Sequence, residues 1–181
     1  MPTSPIDSPP LTLADLLDGG GVRLEAAATD RLDAVSQAGG LLVSSGAADP
    51  SYVGSMLRRE TTVSTYVGNG VAMPHGTIAG KHAVNRDALA LLRFPDGVDW
   101  NGETVRIVVG IAAAGGGHIA MLARLADALL DHGTVDRILA AESPEDVLAV
   151  FRRVGTAAEG NGGQAASGAV RSVTDGAAAA D

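Results

Sequence analysis

Apolar residues recur along this chain with two different periods, and these periods divide it into strands and helices. Continuous apolar runs predict two buried strands, over Asp87–Arg93 and over Val105–Ala112. Shorter runs predict strands at Val22–Glu25 and Val71–Met73. A turn is expected at Phe94–Gly97, where proline, aspartate and glycine follow one another. The strands predict a small mixed β-sheet.

Helical spacing fills the intervals between strands in the first half of the chain. The pattern predicts a short helical turn over Leu11–Leu17 and a longer helix that begins at Thr29. A third helix is expected after Asp49, with Asp49 as its N-cap and Pro50 in its first position.

Three more helices are predicted in the second half. One begins at His118 and ends at His132–Gly133, and the next two are capped by Thr134 and by Ser143. Helices around a small mixed sheet indicate the α/β class, as a single domain of two or three layers.

The hydrophobic pattern fades at both ends of the chain. Residues 1–10 are rich in proline and serine, and residues 155–181 consist largely of glycine, alanine and serine. Such segments bury too little apolar surface to offset the entropy lost on ordering. We therefore expect one folded domain over 11–154, with a disordered lead and a disordered tail.

Composition and charge exclude several function classes. The net charge of −8 argues against general nucleic-acid binding, which needs cations to neutralise phosphates. The chain has no cysteine, so disulfides, thiol catalysis and cysteine-ligated zinc are excluded. No apolar run approaches the roughly 20 residues that span a bilayer, and the N-terminus lacks the pattern of a secretory signal. A soluble cytoplasmic protein is expected.

The segment Pro74–Gly76 is the strongest candidate for chemistry. Pro74 fixes its own φ and restricts the preceding residue to extended conformations, while Gly76 permits a sharp turn or a close approach of another group. His75 is thereby held on a stiff backbone at the rim of the sheet. A neutral imidazole is a good nucleophile toward phosphorus near pH 7, provided that its other nitrogen is tied to an acceptor such as a backbone carbonyl. A histidine simply packed at a strand end remains the alternative.

Two further residues could assist an anionic group. His118 opens a helix behind the glycines 115–117, and helix N-termini attract anions. Arg59 lies near a helix end, where a guanidinium could stabilise a phosphorylated imidazole. Arg58 is the competing choice, and a flexible loop and a solvated arginine are the plainer interpretations.

Other sites have less support. A zinc site built from His75, His82, His118 and His132 is conceivable, but these histidines lack the spacing of known zinc motifs. His82 and His132 are better interpreted as surface or helix-end residues. Phosphate-loop and dinucleotide-binding fingerprints are absent from the sequence.

The run Thr65–Thr77, Thr-Tyr-Val-Gly-Asn-Gly-Val-Ala-Met-Pro-His-Gly-Thr, resembles the active-site signature of the fructose/mannitol class of IIA components in the bacterial sugar phosphotransferase system. Met56–Glu60 resembles the family's helix end with a functional arginine, which corresponds to Arg59. The segments Val109–Ala112 and Gly117–Ile119 resemble the strand, loop and helix that supply a second histidine, here His118. The likeness extends over about residues 11–151 and is strongest to the mannitol type, although the glycine-rich loop before His118 is shorter than is usual in the family.

The resemblance implies a phosphoryl carrier. Phospho-HPr would phosphorylate His75 at Nε2, with His118 and Arg59 in support, and His75 would pass the group to a cysteine of a IIB partner. The sugar, expected to be mannitol, would be phosphorylated as it enters through the membrane component IIC. No metal, nucleotide or nucleic acid is implied. The alternatives are a fructose-specific IIA domain, a nitrogen-regulatory IIA domain that moves no sugar, and a non-catalytic metal-binding or structural α/β module.

Overall fold

A five-stranded mixed sheet forms the centre of the protein. The computed structural model describes residues 11–115 and 118–160. The strands are β1 (Val22–Arg23), β2 (Tyr66–Gly68), β3 (Val71–Ala72), β4 (Ala88–Trp100) and β5 (Glu103–Ala112). The strand order is β1-β4-β5-β3-β2, in which β1–β4 and β3–β5 are parallel and β4–β5 and β2–β3 are antiparallel.

Helices cover both faces of this sheet. The helices are α1 (Leu13–Gly20), α2 (Arg31–Ser44), α3 (Ser51–Thr62), a 3-10 helix (Ile78–Ala83), α4 (His118–Leu130), α5 (His132–Ala140) and α6 (Pro144–Gly160). On β4, Ala90 and Leu92 pack toward α2 and α3, whereas Leu89 and Leu91 pack toward α1, α4, α5 and α6. This alternation of buried residues makes three layers, and the α/β class with a small mixed sheet is confirmed.

The predicted turn at Phe94–Gly97 is wrong, because this segment lies inside β4. The β4–β5 register shifts between Arg93 and Val98, so the proline and glycine form an irregularity within a long strand. The chain instead reverses at Asn101-Gly102, whose φ values of 59° and 94° are both positive. Two such residues make the two-residue hairpin turn that matches the twist of antiparallel strands.

Two predicted helix caps also differ. Asp49 accepts a hydrogen bond from Asn85 Nδ2 (3.1 Å) instead of capping α3, which has no side-chain cap at Pro50. Asp131 caps α5 and accepts hydrogen bonds from the backbone and hydroxyl of Thr134, both at 2.7 Å. A carboxylate is a stronger acceptor than a hydroxyl, so Thr134 donates to the cap.

Of the two remaining predicted helix boundaries, one is wrong and one is confirmed. His132 begins α5 and does not end α4, which stops at Leu130. The Ser143 cap is confirmed by reciprocal hydrogen bonds with Asp146, from Asp146 N to Ser143 Oγ (3.2 Å) and from Ser143 N to Asp146 Oδ2 (2.9 Å).

The expected domain ends fall partly outside the described residues. Helix α6 continues to Gly160, six residues beyond the boundary expected at Val154. Residues 1–10 and 161–181 are outside the described ranges, as are the side chains of residues 155–160. Within the described ranges, no helix combines the length and the apolar character needed to cross a bilayer.

Candidate functional site

His75 lies where the short strand β3 is continued past Pro74 along the end of β5. It forms an isolated parallel bridge with Ile111, and Ile111 N donates a hydrogen bond to Pro74 O (3.0 Å). The residues just before it, Met73 and Pro74, are buried, whereas His75 is half-buried. The sheet therefore fixes the backbone of His75 and leaves its side chain at the rim.

The imidazole of His75 is oriented by its own chain. Nδ1 lies 2.9 Å from the carbonyl oxygen of Met73. Because a carbonyl only accepts hydrogen bonds, Nδ1 carries the proton and the lone pair of the neutral ring is on Nε2. A backbone carbonyl is the acceptor that the sequence predicts for this histidine.

The loop after His75 is tied to helix α3 by two hydrogen bonds. Gly76 N donates to the hydroxyl of Tyr52, and Thr77 N donates to Ser55 Oγ, both at 2.9 Å. A Cβ on Gly76 would lie 2.4 Å from the Tyr52 ring. Glycine is thus required here by the close approach of α3, since no positive φ occurs at this residue.

Two cavities, of about 500 Å³ and 360 Å³, flank His75. Both are lined by His75, Arg59 and Leu122. The larger cavity is also lined by Lys81, from the 3-10 helix, and by the strongly exposed Ile78. The imidazole therefore lies in a concave region that a phosphate-sized group can enter.

The charges around these cavities contrast with the charge of the whole chain. Their described lining residues include two cations, Arg59 and Lys81, and no carboxylate, although the chain carries a net charge of −8. A site of this composition attracts anions and disfavours cations.

Arg59 and Arg58 occupy different surroundings. Arg59 is half-buried in the last turn of α3, lines both cavities, and donates from Nη1 to Val63 O (2.7 Å). Arg58 is exposed and is not among the residues that line either cavity. The structure thus brings Arg59 together with His75.

His118 is the first residue of α4, as the sequence predicts, but its side chain is outside the described residues, as are Gly116 and Gly117. Leu122, one helical turn later, lines both cavities, so the N-terminal part of α4 borders the site. The loop leading to α4 is fixed at its start, where Ala114 N donates to Asp87 Oδ1 (2.8 Å).

The other two histidines lie outside both cavities. His82 and His132 are exposed, and His82 Nδ1 contacts Ala79 O at 2.7 Å. In the part of the chain that the structure describes, no three His, Asp or Glu side chains are grouped as they would be to hold a metal ion.

Sequence reasoning missed the residues that build the site around His75. Lys81 gives no periodic signal, because it lies in a short 3-10 helix, six residues after the histidine. Tyr52 and Ser55 look like ordinary residues of the buried face of α3, and only their spacing of three, which places them on one side of a helix, connects them.

The sequence of this chain is similar to those of known phosphotransferase proteins. Residues 15–154 match the model of the family described as phosphoenolpyruvate-dependent sugar phosphotransferase system, EIIA 2. The mannitol-specific phosphotransferase enzyme IIA component of Staphylococcus aureus MRSA252 is 41% identical over 139 residues, which cover 77% of this chain and 96% of that protein.

Solved structures show the same fold. The crystal structure of IIA mannitol from Escherichia coli is 32% identical, covers 74% of this chain and 96% of its own, and superposes with a TM-score of 0.67. The Escherichia coli complex of mannitol IIA with phosphorylated mannitol IIB is also 32% identical, covers 73% of this chain and 94% of its own, and gives a TM-score of 0.68. This chain therefore belongs to the EIIA type 2 family of the phosphoenolpyruvate-dependent sugar phosphotransferase system and resembles its mannitol-specific members.

Proposed function

We propose that this protein carries a phosphoryl group on His75 Nε2 between phospho-HPr and the IIB component of a mannitol transporter. The proposal rests chiefly on one observation: an imidazole whose Nδ1 is held by the Met73 carbonyl lies at a cavity with two cations and no described carboxylate. The mannitol IIA of Escherichia coli, which shares this fold, is known in a complex with phosphorylated IIB.

The first transfer exchanges one nitrogen–phosphorus bond for another. The lone pair on His75 Nε2 attacks the phosphorus of the phosphohistidine on HPr, the bond to the HPr imidazole breaks, and that imidazole leaves with its electron pair. Throughout, Nδ1–H of His75 stays donated to Met73 O, which keeps the ring in the reactive tautomer. In the second transfer, a IIB cysteine thiolate attacks the same phosphorus, and the electrons of the breaking bond return to Nε2.

The protein contributes positioning and electrostatic stabilisation to both steps. The fixed backbone of His75 supplies orientation, and a cation beside the phosphoryl oxygens stabilises the charge that gathers there. Arg59 is best placed for this role, because it lines both cavities beside the imidazole. We assign His118 to a supporting role because α4 begins at this residue and borders the site through Leu122.

This scheme uses phospho-HPr as the phosphoryl donor, and the family resemblance implies no metal or nucleotide. We place the transfer in the cytoplasm, as the family resemblance implies, with IIC acting only through IIB. Mannitol transport is favoured over nitrogen regulation because the mannitol-specific relative is 41% identical, whereas the likeness to the nitrogen-regulatory IIA of Neisseria meningitidis, at 23% identity, concerns the fold alone.

The test is reconstitution of the relay with purified components. Phosphoenolpyruvate, enzyme I and HPr should give this protein an acid-labile, base-stable label, and chase with the IIB domain of a mannitol transporter should remove it. A fructose-type IIB domain serves as the matched acceptor. Label that remains on the protein with mannitol IIB but leaves with fructose IIB would overturn the mannitol assignment, and absence of any label would overturn the carrier function.

A further inference from the structure

A side-chain hydroxyl takes part in the pairing of the His75 segment with β5. In a pair of parallel strands, one of two opposite residues makes both backbone hydrogen bonds. Its N–H donates to the residue just before its partner, and its carbonyl accepts from the residue just after its partner. For the bridge between His75 and Ile111, the donated bond is present from Ile111 N to Pro74 O (3.0 Å). The accepted bond should run from Gly76 N to Ile111 O.

A tyrosine hydroxyl occupies the position of that second bond. Gly76 N donates to the hydroxyl of Tyr52 (2.9 Å), and the same hydroxyl donates to Ile111 O (2.7 Å). The hydroxyl thus connects Gly76 N to Ile111 O, the two groups that a direct ladder bond would join.

The chemistry of Tyr52 suits a permanent relay. Its side chain is 4% exposed, and burial raises the pKa of the phenol, an effect that the hydrogen bond from Gly76 N only partly opposes. The phenol therefore stays neutral at physiological pH and keeps the proton that it donates to Ile111 O. A phenolate could accept from Gly76 but could not complete the relay.

The ring of Tyr52 packs against the same segment. It passes so close to Gly76 that a Cβ there would lie 2.4 Å from Cε2, and it lines the larger cavity together with His75 and Ile111. The cleft beside the imidazole therefore opens where the hydroxyl enters the ladder.

We propose that Tyr52 is a positioning residue, a hydroxyl wedge that separates the His75 segment from the end of β5 and so sets the position of the imidazole in its cavity. This inference rests on the proposed function of His75 as the phosphoryl acceptor. In Tyr52→Phe the direct bond from Gly76 N to Ile111 O can form, which satisfies both groups but draws the histidine toward β5.

The test compares Tyr52→Phe with Thr134→Val. Thr134 is 3% exposed and its hydroxyl donates to Asp131 at the start of α5, so its replacement also removes a buried hydroxyl hydrogen bond but lies outside both cavities beside His75. Labelling by phospho-HPr should slow about 10²-fold in Tyr52→Phe, as expected for a small misplacement of a reacting group, and should match the unaltered protein in Thr134→Val. The nitrogen spectrum of the His75 ring and the Gly76 amide signal should shift only in Tyr52→Phe.

The outcomes of this test distinguish a failure of the Tyr52 wedge from a failure of the proposed carrier function. A Tyr52→Phe protein with the labelling rate and His75 ring spectrum of the unaltered protein would overturn the wedge, even if its melting temperature fell. Should that variant fail to fold, the unaltered protein decides: a nuclear Overhauser contact from the Tyr52 hydroxyl proton to the Gly76 amide supports the relay, and its absence refutes it. If the unaltered protein takes no label, the proposed function fails, whereas the spectra still test the wedge.

Discussion

Replacing Glu60 by alanine should destabilise the fold strongly, because this buried carboxylate joins its own helix to three other parts of the fold next to the site. Glu60 is 2% exposed. Its Oε2 accepts from Thr65 N (2.9 Å) and its Oε1 accepts from Trp100 Nε1 (2.9 Å), while Arg31 Nε lies 3.7 Å from Oε1. The carboxylate thus connects the end of α3 to the start of β2, to the β4–β5 hairpin and to α2.

The magnitude follows from the donors that alanine would leave without an acceptor. Thr65 and Trp100 are 5% and 1% exposed, so neither N–H can turn to bulk water. An unsatisfied buried donor costs about 1–3 kcal/mol, which gives a total loss of about 2–6 kcal/mol from the free energy of unfolding. That is a large fraction of the roughly 5–15 kcal/mol that stabilises a typical domain. Glu60→Gln should cost less, because its carbonyl oxygen can still accept either from Thr65 or from Trp100.

Urea unfolding measures this loss, and the single tryptophan, Trp100, serves as the probe. Glu142 is exposed, and Glu142→Ala is the matched control, expected within about 0.5 kcal/mol of the unaltered protein. A Glu60→Ala loss below about 1 kcal/mol, with an unchanged dependence on urea, would refute the view that this carboxylate organises the region.

Three further predictions concern the site and the domain boundary. Arg59→Gln should slow phosphoryl transfer far more than Arg58→Gln, because only Arg59 lines the cavities beside the imidazole, and the reverse order in stopped-flow rates would contradict the placement. His118→Ala should still accept label, but transfer onward to IIB should slow by about 10²–10³-fold, the usual effect of losing one stabilising donor; an unchanged chase rate would reduce His118 to a structural residue. A chain ending at Val154, where the family match ends, should keep its melting temperature and labelling rate, and a large drop in either would show that the tail beyond it contributes to the domain.

The general architecture could be predicted from the sequence because it depends on residue periodicity. The apolar runs of β4 and β5 and the helical spacing of α2 and α4 indicate their elements directly. The error at Phe94–Gly97 arose because proline and glycine usually mark turns. Here β4 continues through them, and its pairing with β5 only shifts register at this point. The true reversal at Asn101-Gly102 carries a strong hairpin signal that the apolar pattern alone does not contain.

The candidate site could be predicted only in part, for a related reason. His75 is conspicuous because the residues that restrict it are its neighbours in sequence. Tyr52, Lys81 and Glu60 act through contacts between segments distant in sequence, such as the hydroxyl relay from Gly76 to Ile111. Such contacts depend on how α3 packs against the end of the sheet, which local pattern does not reveal.

The central claim is that His75 Nε2 carries the phosphoryl group, and direct mapping of that atom tests it. Protein labelled with ¹⁵N at its histidine rings and phosphorylated through HPr should show phosphorus–nitrogen coupling at Nε2 of one histidine. The Nδ1 signal of the same ring should keep its proton, as the contact with Met73 O requires. His75→Ala should remain folded and show no coupling. Coupling at another histidine, at Nδ1 of His75, or in the His75→Ala protein would contradict the account.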